Sequence, residues 1–321
     1  MGSPWPFREV SVAASTFTAS SGDPVLDRRL DWARAFLDDG DAAGAAELLA
    51  ETVADAPGFA AAWFLLGEAR LTLSDAPGAA EAFGRARALD PRDALGAGLR
   101  LARLGAVPAD GAMSAAYVRT LFDQYADRFD TALRDALAYR GPELLFDAVA
   151  RACAATGRKP AFARGLDLGC GTGLAGVLFA PVVAHLSGVD LSPAMLEKAA
   201  ALGLYARLEA GEMGAALAAA PAGGLDLILA ADALCYVADL APIFRAARAA
   251  LAPDGLFAFT LETHDGAGVL LRETLRYAHA ADHVRQRAAE AGLALVLMEA
   301  VSTRAEKSVP VPGLVCVLGR G

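Results

Sequence analysis

The sequence predicts an α/β domain on a mostly parallel sheet, preceded by an all-α domain of repeated helical hairpins. Three observations carry that prediction. The first part of the chain aligns with itself at a shift of 34 residues. From about residue 144 onward, helical patterns alternate with short apolar runs, as parallel strands covered by helices require. One of those runs leads into Gly169, Gly171 and Gly173 and then into a helical stretch. Composition agrees, since 321 residues that are 55% hydrophobic and 21% charged have the apolar content to fold and the length for two domains.

Taken in order, residues 1–24 carry prolines, Arg8, Glu9 and a Ser/Thr/Ala stretch but no long apolar core of a signal peptide, and read as a flexible arm. The 34-residue shift then pairs Ala45 with Ala79, Leu49 with Phe83, Pro57 with Pro91, and Gly40-Asp41-Ala42 with Ser74-Asp75-Ala76. The second unit, with Trp63, Leu66, Gly67, Ala79, Phe83, Ala86 and Pro91, resembles the tetratricopeptide repeat. The first is weaker, with Ala33 at the glycine position and Arg29 and Thr52 replacing tryptophan and alanine. Small residues at 67 and 79 let antiparallel helices approach, Phe83 fills the seam, and Pro91 stops the second helix. Leu99 to Leu104 is expected to close the array. Such repeats, placed at 25–110, imply a protein partner or a purely structural or dimerising role.

The texture changes near residue 110, where the second domain, 111–321, is expected to begin. Phe122, Tyr125 and Phe129 recur at helical spacing and place three rings on one face, either a lid over a ligand or a permanently packed helix; Asp123 and Asp127 fall on the neighbouring, solvated face. Strands are predicted at 165–168, 186–190, 225–230 and 256–261, and the final runs, 293–298 and 314–318, form an antiparallel hairpin at one edge.

The strongest chemical signal is Asp167-Leu168-Gly169-Cys170-Gly171-Thr172-Gly173. A ligand lies against backbone only where no Cβ intrudes, and the helix start beyond offers unpaired N–H groups. The next strand ends at Asp190, whose carboxylate suits a ribose diol. A nucleoside ligand follows, although Gly171-x-Gly173-x-x-Gly176 with a later acid also satisfies a nicotinamide or flavin dinucleotide pattern. Three further features favour a different cofactor: Asp167 before the first glycine, Ser192 and Met195 after Asp190, and the closing strand hairpin. Together they resemble the class I S-adenosylmethionine-dependent methyltransferases, which implies a Rossmann-like, mostly parallel seven-stranded sheet with a C-terminal antiparallel hairpin.

The resemblance implies roles. Gly169, Gly171 and Gly173 admit the methionyl part of S-adenosylmethionine, with Asp167 near its amino group; Asp190 takes the ribose hydroxyls; Met195 packs on the adenine, or is an ordinary core methionine; Glu212 reaches the adenine edge, or is a solvated turn residue. Asp232, after the fourth strand, is a further cofactor-binding residue, and with Tyr236 it lines the pocket behind the sulfonium. Ala252-Pro253-Asp254-Gly255 is the loop into the fifth strand. More narrowly, 121–130 with Leu137 and Tyr139, and Arg276-Tyr277-Ala278-His279, resemble a bacterial family of predicted methyltransferases carrying tetratricopeptide repeats. That family has a glycine where this chain has Leu275. Transfer from a sulfonium needs alignment and exclusion of water more than a fixed triad. If the acceptor is a hydroxyl, candidate bases are His279, Tyr236, His264 and Glu262. The competing reading is a repeat scaffold whose second domain binds cofactor without turnover.

Other classes are disfavoured. Lys+Arg total 29 against 38 Asp+Glu, a net charge of -9, which gives no basic field for nucleic acid. Cys153, Cys170, Cys235 and Cys316 form no metal-ligand or redox spacing and fit a cytosolic location. No apolar run is long enough for a membrane span. The acceptor, a small molecule or a protein, is not identified by any motif.

Overall fold

The computed structural model describes residues 20–127, 129, 139–306 and 309–321. Residues 1–19 of the expected arm, with Arg128, Asp130 and Leu137 of the aromatic-acidic motif, lie outside them. The chain divides into two compact units between Leu121 and Phe122.

In the first unit, α1 (Pro24–Asp38), α2 (Ala42–Asp55), α3 (Ala60–Thr72) and α4 (Ala76–Leu89) form two helical pairs. The end of the expected arm is ordered: Ser20 and Ser21 bond the Asp27 carboxylate, and Asp23 caps α1. Asp41 and Asp75 make the same N-cap 34 residues apart, accepting from Gly44 N and Gly78 N and satisfying one orphan donor of each helix. A Cβ on Gly67 would lie 2.5 Å from the Phe83 ring, so glycine sets the α3–α4 spacing. α5 (Ala97–Arg103) closes the array, its first turn capped by the buried Asp93 carboxylate through Ala97 N and Gly98 N. α6 (Ala115–Tyr125) follows the expected boundary near 110, and the division between the units falls inside it.

The second unit contains α7 (Gly141–Ala155), β1 (Phe162–Leu168), α8 (Leu174–Phe179), β2 (Val183–Asp190), α9 (Pro193–Ala201), β3 (Arg207–Ala210), α10 (Met213–Ala219) and β4 (Leu225–Ala230). After these come α11 (Ala241–Ala250), β5 (Leu251–Glu262), β6 (Val269–Leu271), β7 (Tyr277–His279), α12 (Ala281–Glu290), β8 (Leu293–Ala300) and β11 (Gly313–Arg320), with β9 (Ala305–Glu306) and β10 (Val309–Pro310) as a small ribbon between the last two.

The sheet order is β3-β2-β1-β4-β5-β11-β8, with β7 beside β5 and β6 beside β7. β1 to β5 are mutually parallel, while β11 runs antiparallel to both neighbours. Alternate residues feed two cores. Ile228, Phe257, Phe259 and Cys316 pack under α11 and α12, and Leu227, Leu229, Ala258 and Val315 pack under α7 and α8. Burial on both faces is why these strands read as near-continuous apolar runs.

Two expectations change. The terminal hairpin does not sit wholly at the edge, because β11 inserts between β5 and β8 and is buried along six of its eight residues. The Ala252–Gly255 segment is not a free loop before the fifth strand; it is an irregularity within β5, where pairing jumps from Leu225↔Leu251 to Leu227↔Leu256.

Candidate active site

The glycine bend leaves the carboxyl end of β1 and is tied to the end of β2. Gly169, Gly171 and Gly173 have φ of 65°, 54° and 91°, the left-handed region where other residues are strained. Gly169 N and Cys170 N both donate to the Val189 carbonyl, and Gly171 N donates to Asp190 Oδ2 at 2.9 Å. The three glycines also differ in what surrounds them. A Cβ at 169 would strike Ala233 at 2.6 Å and one at 173 would strike Leu202 at 2.8 Å, whereas at 171, among the described residues, nothing but Phe129 is within reach, at 3.9 Å. Gly171 is therefore where the bend opens to a ligand.

Asp190 ends β2 with both carboxylate oxygens oriented, Oδ1 accepting from Ser192 N at 2.8 Å and Oδ2 from Gly171 N. Each oxygen keeps a lone pair for a diol. Burial pushes its pKa up, against those two N–H bonds. Asp167, in β1, is 1% exposed. Its Oδ2 accepts a 2.7 Å bond from the Tyr205 hydroxyl, and its Oδ1 is buried with no partner among the described residues. Burial, with Asp190 nearby, raises Asp167 to about 7. The Tyr205 ring fills the space that side chains at Gly173, Gly176 and Gly188 would need. Gly176, the last glycine of the dinucleotide-like pattern, is thus explained by a tyrosine from the loop before β3.

Phe122, Tyr125 and Phe129 do converge. Phe129 lies 5.9 Å from Phe122 and 6.0 Å from Tyr125 between ring centroids, and Phe122 meets Tyr236 edge-on at 5.4 Å. The cluster spans from the glycine bend to the segment after β4. Asp123 is not the solvated residue that its position suggested: it accepts from Ser192 Oγ at 2.6 Å, while Ser192 Oγ caps α9 through Met195 N. Asp127 is exposed and pairs with Lys198. Met195 is fully buried beneath that cap, and Glu212 stands exposed at the start of α10 with no side-chain capping bond.

The candidate bases separate sharply. His279 has no exposed surface; its Nε2–H donates to the Val237 carbonyl at 3.0 Å, and burial lowers its pKa to about 4. It braces β7 against the segment after Tyr236. His264 has both ring nitrogens engaged in its own turn, with Gly266 N and the Gly268 carbonyl. Glu262 is 3% exposed and ion-paired to Arg272, Arg276 and Arg304. Only Tyr236 is partly exposed beside the aromatic cluster, with Arg276 5.0 Å over its ring.

Asp232 also departs from expectation. Its carboxylate is directed at Thr260 Oγ1, Thr303 Oγ1 and Arg304 Nη1, at 2.9, 3.3 and 3.2 Å. It belongs to the buried charge network with Glu262 and not to the open bend. This network, with the Cys235 sulfur accepting from Arg276 Nη2 at 2.8 Å, had no motif to announce it. Its members come from the segment after β4, from β5, the β6–β7 turn and the chain after β8, which only the fold brings together. Tyr205 was equally hidden, although Gly176 and Gly188 record its ring.

Residues 137–297 match the family model described as Methyltransferase domain. The chain belongs to this family. Its α/β unit is a class I, S-adenosylmethionine-dependent methyltransferase domain. Over 114 residues it is 40% identical to human methyltransferase-like protein 27, covering 35% of this chain and 45% of that protein. Over 123 residues it is 34% identical to the ubiquinone biosynthesis O-methyltransferase of Xanthomonas axonopodis pv. citri (strain 306), covering 35% and 48%. The chain spans about half the length of these curated relatives. In fold it is similar to the Burkholderia thailandensis 1,6-didemethyltoxoflavin-N1-methyltransferase, solved with its substrate and S-adenosylhomocysteine (18% identity, TM-score 0.51, 64% of this chain and 88% of that one). It is similar also to the [4+2]-cyclase SpnF (15% identity, TM-score 0.53, 64% and 96%). The residues present fit the cofactor: an unbonded buried carboxylate oxygen at Asp167, an open backbone position at Gly171, and the oriented Asp190 lie along one bend.

Proposed function

We propose that this protein transfers the methyl group of S-adenosylmethionine to an acceptor, a small molecule or a protein, received beside Tyr236 and the rings of Phe122, Tyr125 and Phe129. The observation that carries this reading is the Asp167 Oδ1 left without a partner among the described residues in a buried site, one bend away from Asp190. A carboxylate buried at that cost calls for a cation, and the cofactor's ammonium is one. In this reading Asp167 holds the amino group, Gly171 admits the backbone approach of the methionyl part, and Asp190 accepts from the two ribose hydroxyls. Gly169 and Gly173 shape the bend. Met195 and Glu212 flank the adenine through the starts of α9 and α10. When bound, the cofactor supplies an already activated methyl group.

The chain's own work is then alignment and exclusion of water. The aromatic cluster shields the bend, and Asp123 ties the end of α6 to the α9 cap beside Asp190. Tyr236 is the polar side chain we assign to the acceptor side. Asp232, Glu262, Arg276 and Arg304 hold the floor beneath it, and His279 props the Val237 segment. We read the paired helices before residue 110 as tetratricopeptide-type repeats that dock a protein partner or organise the chain, and the four free thiols as those of a cytoplasmic protein.

The test is transfer of label from methyl-labelled S-adenosylmethionine into a host extract by wild type and Gly171→Val. Label in a discrete product with wild type only is expected. Binding of S-adenosylhomocysteine with identical labelling by both proteins would favour the cofactor-binding scaffold without turnover.

A further inference from the structure

We infer that Tyr205 is a positioning residue for cofactor binding, acting through Asp167. Its hydroxyl pins Oδ2, favouring the ionised carboxylate and turning it so that Oδ1 is left to receive the cofactor's ammonium. The inference rests on the reading of this bend as the S-adenosylmethionine site.

The geometry is specific. Asp167 sits in the middle of the sheet, paired in register with Gly188 of β2 and Leu229 of β4. A Cβ on Gly188, the register partner of Asp167, would meet Leu208 at 2.8 Å, Cys170 Sγ at 2.9 Å and the Tyr205 ring at 3.0 Å. Gly176 gives way to the ring, since a Cβ there would lie 2.4 Å from the Tyr205 oxygen. Gly176 thus clears the place of a ring whose hydroxyl reaches one carboxylate, and at 173 and 188 that ring is one of several neighbours a Cβ would meet. A tyrosine filling apolar space alone would need no acceptor this deep. The charged or titratable groups facing Asp167 are Tyr205 from the loop before β3, Asp190 from β2 and Cys170 from the bend. Leu229 of β4 adds none. Asp190 and desolvation oppose ionisation of Asp167, and the Tyr205 hydrogen bond favours it, leaving the group near neutrality.

Binding an ammonium requires the carboxylate form, so affinity should climb as pH rises towards about 7. The ligand's own α-amino group, beside a free carboxylate, keeps its proton to higher pH than a peptide amine does, so the acid limb belongs to Asp167 and any alkaline limb to the ligand. Tyr205→Phe keeps the ring in its slot and deletes the donor. A charge-assisted bond of this kind is worth about one pH unit. The acid limb should therefore move up by about that much, weakening binding roughly five- to tenfold between pH 6 and 7, while the alkaline limbs coincide.

The experiment is calorimetric titration of the full chain with S-adenosylhomocysteine from pH 5.5 to 8.5, wild type against Tyr205→Phe, with the Asp167 carboxyl followed in parallel by carbon NMR in the ligand-free protein. A raised acid limb together with a raised Asp167 titration supports the assignment. Superimposable acid limbs, or uniformly weaker binding at every pH, overturn it and leave Tyr205 a packing residue. An Asp167 titration unmoved by Tyr205→Phe overturns it even if affinity falls. Absence of binding by wild type at every pH overturns the cofactor reading itself and this inference with it, an outcome distinct from the others because wild type fails as well.

Discussion

Left-handed backbone at a residue that is not glycine is costly, and the positions that tolerate it here are instructive. Leu275 has φ 58° in the turn between β6 and β7, where Leu275 N bonds the Arg272 carbonyl. Glycine takes that conformation without strain, whereas a leucine does not. Leu275→Gly should raise stability by about 0.5–1 kcal/mol, the relief of a left-handed Cβ less the entropy of glycine, read as a higher urea midpoint. A lower midpoint would mean that the leucine side chain contributes more by packing. Asp232 has φ 53° and is held by Thr260 and Arg304. Asp167 supplies a pH test. Its native pKa, about 7, is raised above the unfolded value of 3.8, so its favourable contribution is complete below about pH 4 and is lost as pH climbs through 7. Without ligand, wild type should lose up to a few kcal/mol relative to Asp167→Asn between pH 4 and 7.5, measured by denaturant unfolding at each pH. Parallel curves for the two proteins would contradict the shift.

Among the elements, α9 is the one whose start decides the site, because its N-cap Ser192 also fixes Asp190 and receives α6. Ser192 Oγ links Met195 N to Asp123, so two elements, α6 and α9, meet at one hydroxyl. Ser192→Ala should cost about 1–2 kcal/mol through loss of the cap. A double-mutant cycle with Asp123→Ala should show coupling of at least about 0.5 kcal/mol, and additivity would refute the link. In the helical unit, Gly67→Ala drives a methyl into the Phe83 ring and should cost about 1–3 kcal/mol. An unchanged melting temperature would show that α3 and α4 can separate freely. The strand pattern was readable because parallel strands buried on both faces are apolar throughout, and the 34-residue period was readable because Asp41 and Asp75 cap equivalent helices. The place of β11 between β5 and β8 was not, since strand order depends on crossover and not on local pattern.

At the scale of the whole molecule, the parts of the site contiguous in sequence were legible and those assembled by the sheet were not. Asp167, the glycines and Asp190 belong to two successive strand ends, and a local pattern carries them. Tyr205, Asp123 and the Asp232–Glu262–Arg276–Arg304 cluster come from separate elements, and the complete burial of His279 is set by the fold and not by the run that singled it out. Family membership over residues 137–297 and the two core layers describe the α/β unit; the helical unit has a core of its own, closed by α5.

The central claim is that one bend between β1 and α8, with Asp190 beside it, holds an adenosyl sulfonium. Calorimetry of the intact chain with S-adenosylhomocysteine at pH 7.5 tests it most directly. The account predicts one site per chain in wild type and an affinity roughly ten- to a hundredfold weaker in Asp190→Ala, the loss of about 1–3 kcal/mol from an oriented carboxylate. No heat of binding in wild type, or equal affinity in the two proteins, would contradict it.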